Sequence, residues 1–410
     1  MNKCFFAKFA RNVFLLYTFF VKKIYLDNAS STKVDEKVFK KMAEYCIEDY
    51  GNPSSIHSFG LSAKKALEKA REDVALFINA HPREIIFTSG GTEANNLAVL
   101  GVFKAMKLLG KKPEDLHFVT TEIEHSSVSA CLEEIGKEGG RVDYINVGKD
   151  GIIDLDEFKK SLSQNTALVS IGYANSEIGV IQPIKEIMKS VRHFRKENNS
   201  KLPYVHLDAS QATPYLNTNV EELGIDLMTI DGQKIYGPKG VGALYVRDDV
   251  SISPITFGGG QEKGLKPGTE NVPAILGLAE AVKIVSDTKV KESERLEQLR
   301  NYFFQHVREF VPKAVINGHL TERLPNNINI SIPGKDGEFM VLQLDERGFV
   351  CSTRSACESS ADSSFVIKAL LGGPDHKDEN RAISSIRFTL GKETRLSDIK
   401  NLLRTLSEIV

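Results

Sequence analysis

A lysine and an aspartate, each at the end of an apolar run, are the residues best placed to do chemistry. Lys234 follows a strand-like run at 227–230 and precedes a turn rich in glycine and proline at 235–240. Held there, its amine can be partly desolvated, which lowers the pKa of the amine toward nucleophilic use. Asp208 ends a second apolar run at 204–207. In an open α/β sheet, such a strand end faces the crevice where ligands bind.

This pair of residues suits pyridoxal 5'-phosphate. That cofactor requires a lysine that forms an imine and an acid that faces the pyridinium nitrogen. The acid keeps the nitrogen protonated, so that the ring can absorb electrons from the α-carbon of the substrate. Lys234 and Asp208 could take these roles. The alternatives are a solvated loop lysine and an aspartate that only caps a helix.

A glycine-rich turn provides a candidate phosphate site. An apolar run at 85–88 leads into Gly90 and Gly91, and the apolar pattern of a helix begins at Leu97. Free amides at a helix N-terminus bind phosphate, and glycine lets the backbone approach closely. The hydroxyl of Thr92 adds a donor. The turn matches neither the nucleotide loop that ends in Gly-Lys-Ser/Thr nor the dinucleotide fingerprint, and a plain capped helix start is the alternative.

Cys357 is a candidate nucleophile. It lies among small polar residues at 352–360, a setting that suits an exposed thiolate better than a packed thiol. The other cysteines lie in apolar or helical surroundings and are expected to be inert: Cys4, Cys46, Cys131 and Cys351. Five scattered cysteines without metal-ligand spacing predict no metal site and no disulfide framework, and favour a reducing, cytoplasmic location.

Together these stretches resemble the cysteine desulfurases, within the class V aminotransferase-like branch of the pyridoxal phosphate enzymes. The resemblance extends from about Ile24 to the C-terminus, and the loop around Cys357 is similar to that of the long-loop subgroup. The matching stretches are 25–29, 50–55, 88–96, 124–125, 177–180, 206–211, 234–242, 268–272, 355–357 and 384–388. The resemblance implies a fold-type I α/β enzyme, pyridoxal 5'-phosphate as cofactor, L-cysteine as substrate and a homodimer with shared active sites.

The resemblance also implies roles for individual residues. Lys234 would attach the cofactor and move the α-proton, Asp208 would face the pyridine nitrogen, and His125 would stack on the ring and shuttle protons. Cys357 would attack the sulfur of the substrate, so that alanine leaves and the enzyme carries a persulfide. The other cofactor-binding residues would be Gly91, Thr92, Ser176, Gln211, Asp231, Gln233 and Thr269, the last reaching the phosphate bound by the partner subunit. The substrate-binding residues would be Asn175 and Arg387, whose planar guanidinium suits a carboxylate.

Four positions depart from the pattern of that family. Asp231 and Gln233 occupy the places of a serine and a histidine that contact the phosphate. Ser176 replaces a second asparagine after Asn175, and Arg354 replaces a glycine in the cysteine loop. Unit charges about 4 Å apart repel by about 4 kcal/mol at an effective dielectric constant of about 20. We therefore expect Asp231 either to point away from the phosphate or to share a proton with it.

Alternating strand and helix patterns predict a mostly parallel seven-stranded sheet flanked by helices, followed by a smaller α+β domain. Strand-like runs lie at 85–88, 117–121, 142–147, 167–174, 204–207, 227–230 and 241–246, and helical patterns at 96–109, 127–137, 155–162 and 184–195. A long helix is expected from about Ala274 with a charged junction at 289–291, then strands at 328–332, 349–352 and 385–390 and a helix at 396–409. We expect a large cofactor-binding domain at 35–275 and a small domain, carrying the cysteine loop, formed by 22–34 and 276–410.

Composition fits a globular enzyme. The chain has 410 residues, 41% apolar and 26% charged, and its net charge of −1 gives no support for nucleic-acid binding. Residues 1–21 are basic and rich in phenylalanine, but their apolar run at 13–21 is too short to span a bilayer. We expect translation to start near Val21, so that this extension is untranslated or disordered. An organelle leader and a helix on a membrane surface are the alternatives.

The sequence as a whole predicts a cysteine desulfurase. It would supply sulfur for iron–sulfur clusters, or for thiolated cofactors and tRNA, through a sulfur-acceptor or scaffold protein. One alternative is a selenocysteine lyase of similar fold. The other is a non-catalytic paralogue that binds sulfur-assembly partners, which Asp231 and Ser176 favour.

Overall fold

The structure, a computed structural model, describes residues 23–354, 363–372 and 379–410. The N-terminal extension and Cys357 lie outside these ranges, so our expectations for them stay predictions. The strands are β1 (Ile24–Tyr25), β2 (Ile85–Thr88), β3 (His117–Thr121), β4 (Arg141–Ile145), β5 (Thr166–Gly172), β6 (Tyr204–Asp208), β7 (Leu227–Asp231), β8 (Gly242–Val246), β9 (Val315–Ile316), β10 (Asn327–Ser331), β11 (Phe349–Val350) and β12 (Ser385–Thr389). The helices are α1 (Glu36–Ile47), α2 (Ser58–Ile78), α3 (Gly91–Leu108), α4 (Ser126–Lys137), α5 (Leu155–Ser161), α6 (Ile184–Glu197), α7 (Val220–Leu223), α8 (Val272–Phe310), α9 (Gly337–Glu346), α10 (Phe365–Leu370), α11 (Glu379–Ile383) and α12 (Leu396–Ile409).

A seven-stranded sheet positions the candidate functional residues. Its strand order is β2–β8–β7–β6–β5–β3–β4, and β8 alone runs against its neighbours. In register, Gly172 of β5 pairs with Asp208 of β6, which pairs with Thr229 of β7. Because the carboxyl ends of parallel strands meet at one edge, the residues that follow these strands lie close together. The predicted mostly parallel seven-stranded sheet is confirmed.

Helices cover both faces of this sheet, so its central strands are buried and mostly apolar. On one face, α3 and α4 bury side chains against the strands, for example Phe103 with its ring centroid 5.9 Å from that of Phe118. On the other face, α2, α6 and the first half of α8 form a second apolar core around Val169, Val205 and Met228. Burying each large apolar side chain stabilises the fold by about 1.5–3 kcal/mol relative to leaving it exposed.

A smaller unit of structure follows the main sheet. It contains the antiparallel sheet β12–β10–β9 and the parallel pair β1–β11, so the N-terminal strand joins the C-terminal part of the chain. The second half of α8 packs with α9 and α12 against these strands, around Phe303 and Phe388. The predicted α+β character is confirmed, while the exact domain boundaries stay a prediction.

The predicted junction at 289–291 lies where α8 passes from the core of the large sheet, which ends at Val285, to the core of the smaller unit, which begins at Leu296. These residues lie inside α8, which runs without a break for 39 residues. Lys289 donates to the carbonyl of Leu216 and lies over the ring of Phe77, 5.2 Å from its centroid. A charged stretch therefore binds neighbouring groups here and does not mark a break in the helix.

Two further differences concern helices near the N-terminal half of the sheet. The sequence analysis did not identify α1 and α2, although the buried face of α2 repeats at helical spacing: Ala63, Leu67, Ala70, Val74 and Ile78. Helix α3 begins at Gly91, five residues before the predicted start. Its first turn carries polar residues that face the cavity described below, so the apolar pattern starts late. In the described part of the chain, no helix is both long and apolar enough to cross a membrane.

A buried ion pair fastens the turn before Thr269 to the large sheet. The side chain of Glu262 is 1% exposed and accepts from both terminal nitrogens of Arg71, at 2.8 and 2.7 Å. It also accepts from the amide of Phe87 in β2, at 2.8 Å. Besides Glu262, Arg71 contacts the carbonyl of Ile85 at 2.9 Å and the exposed Glu68 at 3.4 Å, so Glu262 is its one buried carboxylate partner among the described residues.

We expect Glu262→Gln to lower the free energy of unfolding by about 3–5 kcal/mol, because breaking a buried pair strands the remaining charge. Chemical unfolding of parent and variant measures the difference. The matched control is Asp248→Asn, which breaks the exposed Arg83–Asp248 pair and should cost about 1 kcal/mol or less. Equal effects of the two substitutions would contradict this interpretation.

Candidate active site

The carboxyl ends of the parallel strands open into a cavity of about 290 Å³. The predicted site residues that line it are Gly91, Thr92, His125, Asn175, Ser176, Asp208, Gln211, Asp231, Gln233, Lys234 and Arg387. Thr269 is exposed and is not among the lining residues, and Cys357 lies outside the described residues. Side chains from five strand ends and from the smaller sheet therefore meet in one place.

Lys234 is held at the end of β7 by a single 3-10 turn, Gly232–Lys234. Asp231 caps this turn, because its Oδ1 accepts from the amide of Gln233 at 3.2 Å. The amine of Lys234 donates to the carbonyls of Ala29 and Ser30, at 2.8 and 2.7 Å. The backbone turn and the two carbonyls together fix the amine inside the cavity.

Asp208, the last residue of β6, is oriented by two donors. The side-chain amide of Asn95 donates to Oδ2 at 2.7 Å, and the amide of Ser210 donates to Oδ1 at 3.0 Å. These two hydrogen bonds fix the direction in which the carboxyl group points. Asn95 is 1% exposed in the first turn of α3, and the sequence analysis missed it. Its signal was a polar residue at a position where the helix pattern calls for an apolar one.

His125 lies at the N-terminal end of α4 and is neutral. Its Nδ1 accepts from the amide of Ser127 at 3.1 Å, so in the neutral ring the proton is on Nε2. Burial lowers the pKa of His125 and the charge of Lys234 lowers it further, while Asp208 opposes both. The neutral form leaves one ring N–H available for hydrogen bonding.

Glu124 is a functional candidate that the sequence analysis matched to the family but gave no role. Glu124 is 5% exposed and follows β3. Its Oε1 accepts from the hydroxyl of Thr121 at 2.5 Å, and its Oε2 accepts from the amide of Gly172 in β5 at 2.8 Å. Burial raises its pKa to about 8, and the charge of Asp208 adds to the shift against the effect of these hydrogen bonds. At neutral pH the carboxyl group of Glu124 is therefore mostly neutral.

The candidate phosphate site lies at the first turn of α3. Gly90 has φ 143°, and a methyl group added to Gly91 would lie 3.1 Å from Ser210 Oγ and 3.2 Å from Asp231 Oδ2. A side chain at position 91 would crowd Ser210 and Asp231, and the positive φ of Gly90 favours glycine there. Asp231 lies beside this turn and lines the cavity, and both of our expectations for it stay predictions.

Arg387 reaches the cavity from β12 in the smaller sheet. It is 1% exposed, and its Nη2 donates to Asp27 Oδ1 and Ser30 Oγ, both at 2.8 Å. Its Nη1 donates to the carbonyl of Ser176 at 3.2 Å, while Nε is buried without a hydrogen-bond partner among the described residues. The guanidinium is thus fixed in direction and keeps donor capacity for an acidic group.

Asn175 and Gln211 contribute chiefly to the shape of the cavity wall. The side-chain oxygen Oδ1 of Asn175 accepts from the backbone amides of Glu177 and Ile178, at 2.9 and 3.0 Å. Its side-chain NH₂ donates to the backbone carbonyl of Ile123. Gln211 donates to the carbonyl of Ala29 at 2.9 Å. The direct contacts that we predict for both side chains stay predictions.

The described residues on either side of the cysteine segment are anchored near the cavity. Before it, Arg354 is 7% exposed and pairs with Glu338 at 2.7 Å. After it, the hydroxyl of Ser364 donates to Glu177 at 2.5 Å and accepts from the amide of Ile367 at 3.0 Å. The first residues of α10, Phe365 and Val366, line the cavity.

The family model for class-V aminotransferases matches residues 24–402. The chain belongs to this family. It is 41% identical over 390 residues to the cysteine desulfurase IscS of Dictyoglomus turgidum, covering 95% of each chain. A solved structure described as a NifS-like protein superposes with a TM-score of 0.85 at 34% identity, over 94% of this chain and 99% of that one. The structure of SspA in complex with cysteine gives a TM-score of 0.76 at 31% identity, over 90% and 99%.

These comparisons confirm the resemblance and the fold class. The family covers both the large sheet and the smaller one, so the cavity between them belongs to the part of the chain that is shared with these relatives. Among the residues that the structure describes, no cluster of side chains could hold a metal ion.

The raised pKa of Glu124 predicts a pH-dependent difference from Glu124→Gln. The native state keeps a proton that the unfolded chain loses above pH 4.5, so the parent loses stability as the pH rises from there to about 8. The glutamine variant has no such titration. Its free energy of unfolding should therefore rise relative to the parent by about 1.4 kcal/mol per pH unit within this window.

Chemical unfolding at a series of pH values tests this expectation. The control is Glu133→Gln, an exposed position on α4, whose difference from the parent should not grow with pH. A constant difference between parent and Glu124→Gln from pH 5 to 8 would show that the carboxyl is ionised throughout.

Proposed function

We propose that this protein is a pyridoxal phosphate-dependent cysteine desulfurase, which converts L-cysteine to L-alanine and passes the sulfur to Cys357 as a persulfide. The observation that carries the proposal is the shared cavity of Lys234, Asp208 and Arg387, which come from two sheets. The relative from Dictyoglomus turgidum with this activity in its name covers almost the whole chain. A similar structure is described as a complex with cysteine.

The residues present fit the cofactor. The first turn of α3 offers backbone amides and the hydroxyl of Thr92 to a phosphate, and Gly91 allows the approach. Asp208, held by two donors, suits the pyridine nitrogen, and the fixed amine of Lys234 suits covalent attachment. When bound, the cofactor supplies an electron sink for the α-carbon of the substrate.

The reaction asks three things of the chain's own residues. Arg387 binds the carboxylate of the substrate and so sets which bond of the α-carbon faces Lys234. The amine of Lys234 takes the α-proton. Cys357, as a thiolate, then attacks the sulfur of the substrate: an S–S bond forms, the Cβ–S bond breaks, and the electron pair of that bond stays on Cβ, which takes a proton. Lys234 returns the α-proton to the α-carbon, and alanine leaves.

We also propose a homodimer with shared sites. Thr269 is exposed on the turn that Glu262 fastens to β2, and it lies apart from the cavity of its own chain. This placement supports a contact with the phosphate in the partner's cavity.

A sulfur-acceptor or scaffold protein then receives the persulfide sulfur. We propose a cytoplasmic location, which is supported by the free, unpaired thiols of Cys131 and Cys351, since a reducing compartment keeps thiols in this state.

The proposal predicts release of alanine and sulfide from L-cysteine in the presence of a reductant. Lys234→Ala should lose both the visible absorbance of the lysine-bound cofactor and the activity. Cys357→Ala should keep the absorbance but lose at least about 100-fold in rate, because the nucleophile is gone. The control is Cys46→Ala, an exposed thiol on α1, which should leave both unchanged. A parent protein without the absorbance band, or an active Cys357→Ala variant, would contradict the proposal.

Arg387 should decide how strongly the substrate carboxylate is bound. We expect Arg387→Gln to raise KM for L-cysteine by about 10- to 100-fold, since a hydrogen bond between charged groups contributes about 1.5–3 kcal/mol. The methyl ester of L-cysteine lacks the charge and serves as the matched control. Parent and variant should use the ester with similar KM, and an equal loss for both substrates would assign Arg387 a structural role only.

A further inference from the structure

Asp231 is a buried carboxylate that faces the candidate phosphate site. It is 6% exposed, and its Oδ2 lies 3.2 Å from the position of a methyl group built on Gly91. The first amides of α3 have no partners within the helix, which makes this end of the helix attractive to an anion. The cofactor phosphate and the Asp231 carboxylate would therefore approach the same small region.

The charged groups that face Asp231 do not remove the conflict between two anions. From its own turn, Lys234 attracts it, and Gln233 donates to both of its oxygens, at 3.2 and 3.1 Å. From β6, the charge of Asp208 repels it, and from α4 it interacts with His125, which is neutral. Burial outweighs the attraction of Lys234 and raises the pKa of Asp231. The carboxyl group thus takes up a proton more readily than an exposed one.

We propose that this chain binds the cofactor phosphate together with one proton, which lies between a phosphate oxygen and an oxygen of Asp231. The carboxyl group then donates a hydrogen bond where an ionised carboxylate would repel. The proton comes from solvent, and no bond to phosphorus or carbon changes. This inference rests on the proposed function, because it requires a phosphate at the first turn of α3.

The sign of the pH dependence follows from linkage. A bound phosphate disfavours ionised Asp231, so the pKa of Asp231 is higher in the complex than in the free protein. Affinity is constant below the free-protein pKa and weakens tenfold per pH unit until the pKa of the complex is passed. Binding in that interval takes up about one proton.

The test uses the full-length protein freed of cofactor and pyridoxine 5'-phosphate, whose alcohol cannot react with Lys234. Calorimetric titration in buffers of different ionisation enthalpy gives both the affinity and the number of protons taken up. Above neutral pH, we expect the parent to take up about one proton and to lose affinity about tenfold per pH unit relative to Asp231→Asn. Asparagine remains a good cap for the turn of Lys234, and Asp231→Ser is a second variant that keeps the cap.

Each other outcome has a definite meaning. Equal pH slopes and equal proton uptake in parent and variants would overturn the inference while leaving the proposed function intact. A loss of affinity on adding a chelator would replace the proton by a divalent cation and overturn it as well. Pyridoxine, which lacks the phosphate, should bind parent and variants alike, and a difference there would assign Asp231 to the ring. Failure of pyridoxine 5'-phosphate to bind any of the proteins at any pH would overturn the proposed function itself.

Discussion

The parallel register of β5, β6 and β7 is the constraint on which the site depends. It aligns Gly172, Asp208 and Thr229 across three strands, so the residues just beyond them share one crevice. A shift of one residue in β6 would turn the side chain of Asp208 to the opposite face of the sheet, and a shift in β5 or β7 would do the same to the residues of that strand. The buried apolar faces of the sheet prevent such a shift, so the packing of the core fixes the geometry of the chemistry.

The short segment 27–30 connects the two sheets at the cavity. Its carbonyls accept from Lys234, while Asp27 and Ser30 accept from Arg387. Both positive groups of the cavity are therefore oriented by the same stretch of chain, which leaves β1 and enters the crevice. The substrate carboxylate that we propose for Arg387 would meet a guanidinium that already donates to Asp27.

The charges of the cavity are set by burial as much as by residue type. Two donors orient the carboxylate oxygens of Asp208, whereas burial raises the pKa of Glu124, which directly precedes His125, to about 8. His125 is neutral for the same reason as Glu124. The cavity thus contains fewer charges than its sequence would suggest, which limits the repulsion that an anionic cofactor meets.

The sequence predicted the strands and the residues at their ends well, because strand periodicity and apolar runs are local signals. Lys234 and Asp208 followed directly from their place after such runs. The start of α3 was misplaced because residues such as Asn95 face the cavity. The charged stretch at 289–291 lies between the two cores, but the helix α8 continues through it, which the local pattern does not reveal. The pairing of Arg387 with Asp27 depends on contacts 360 residues apart, which no local pattern contains.

The central claim is that the amine of Lys234 is the group that the fold presents to the cofactor. Loading the protein with pyridoxal 5'-phosphate, reducing it with borohydride and mapping the pyridoxyl group by mass spectrometry tests this most directly. We predict one modified residue, Lys234, in the peptide that spans 231–240. Modification of the neighbouring exposed Lys239 in its place, or of surface lysines at random, would contradict the account.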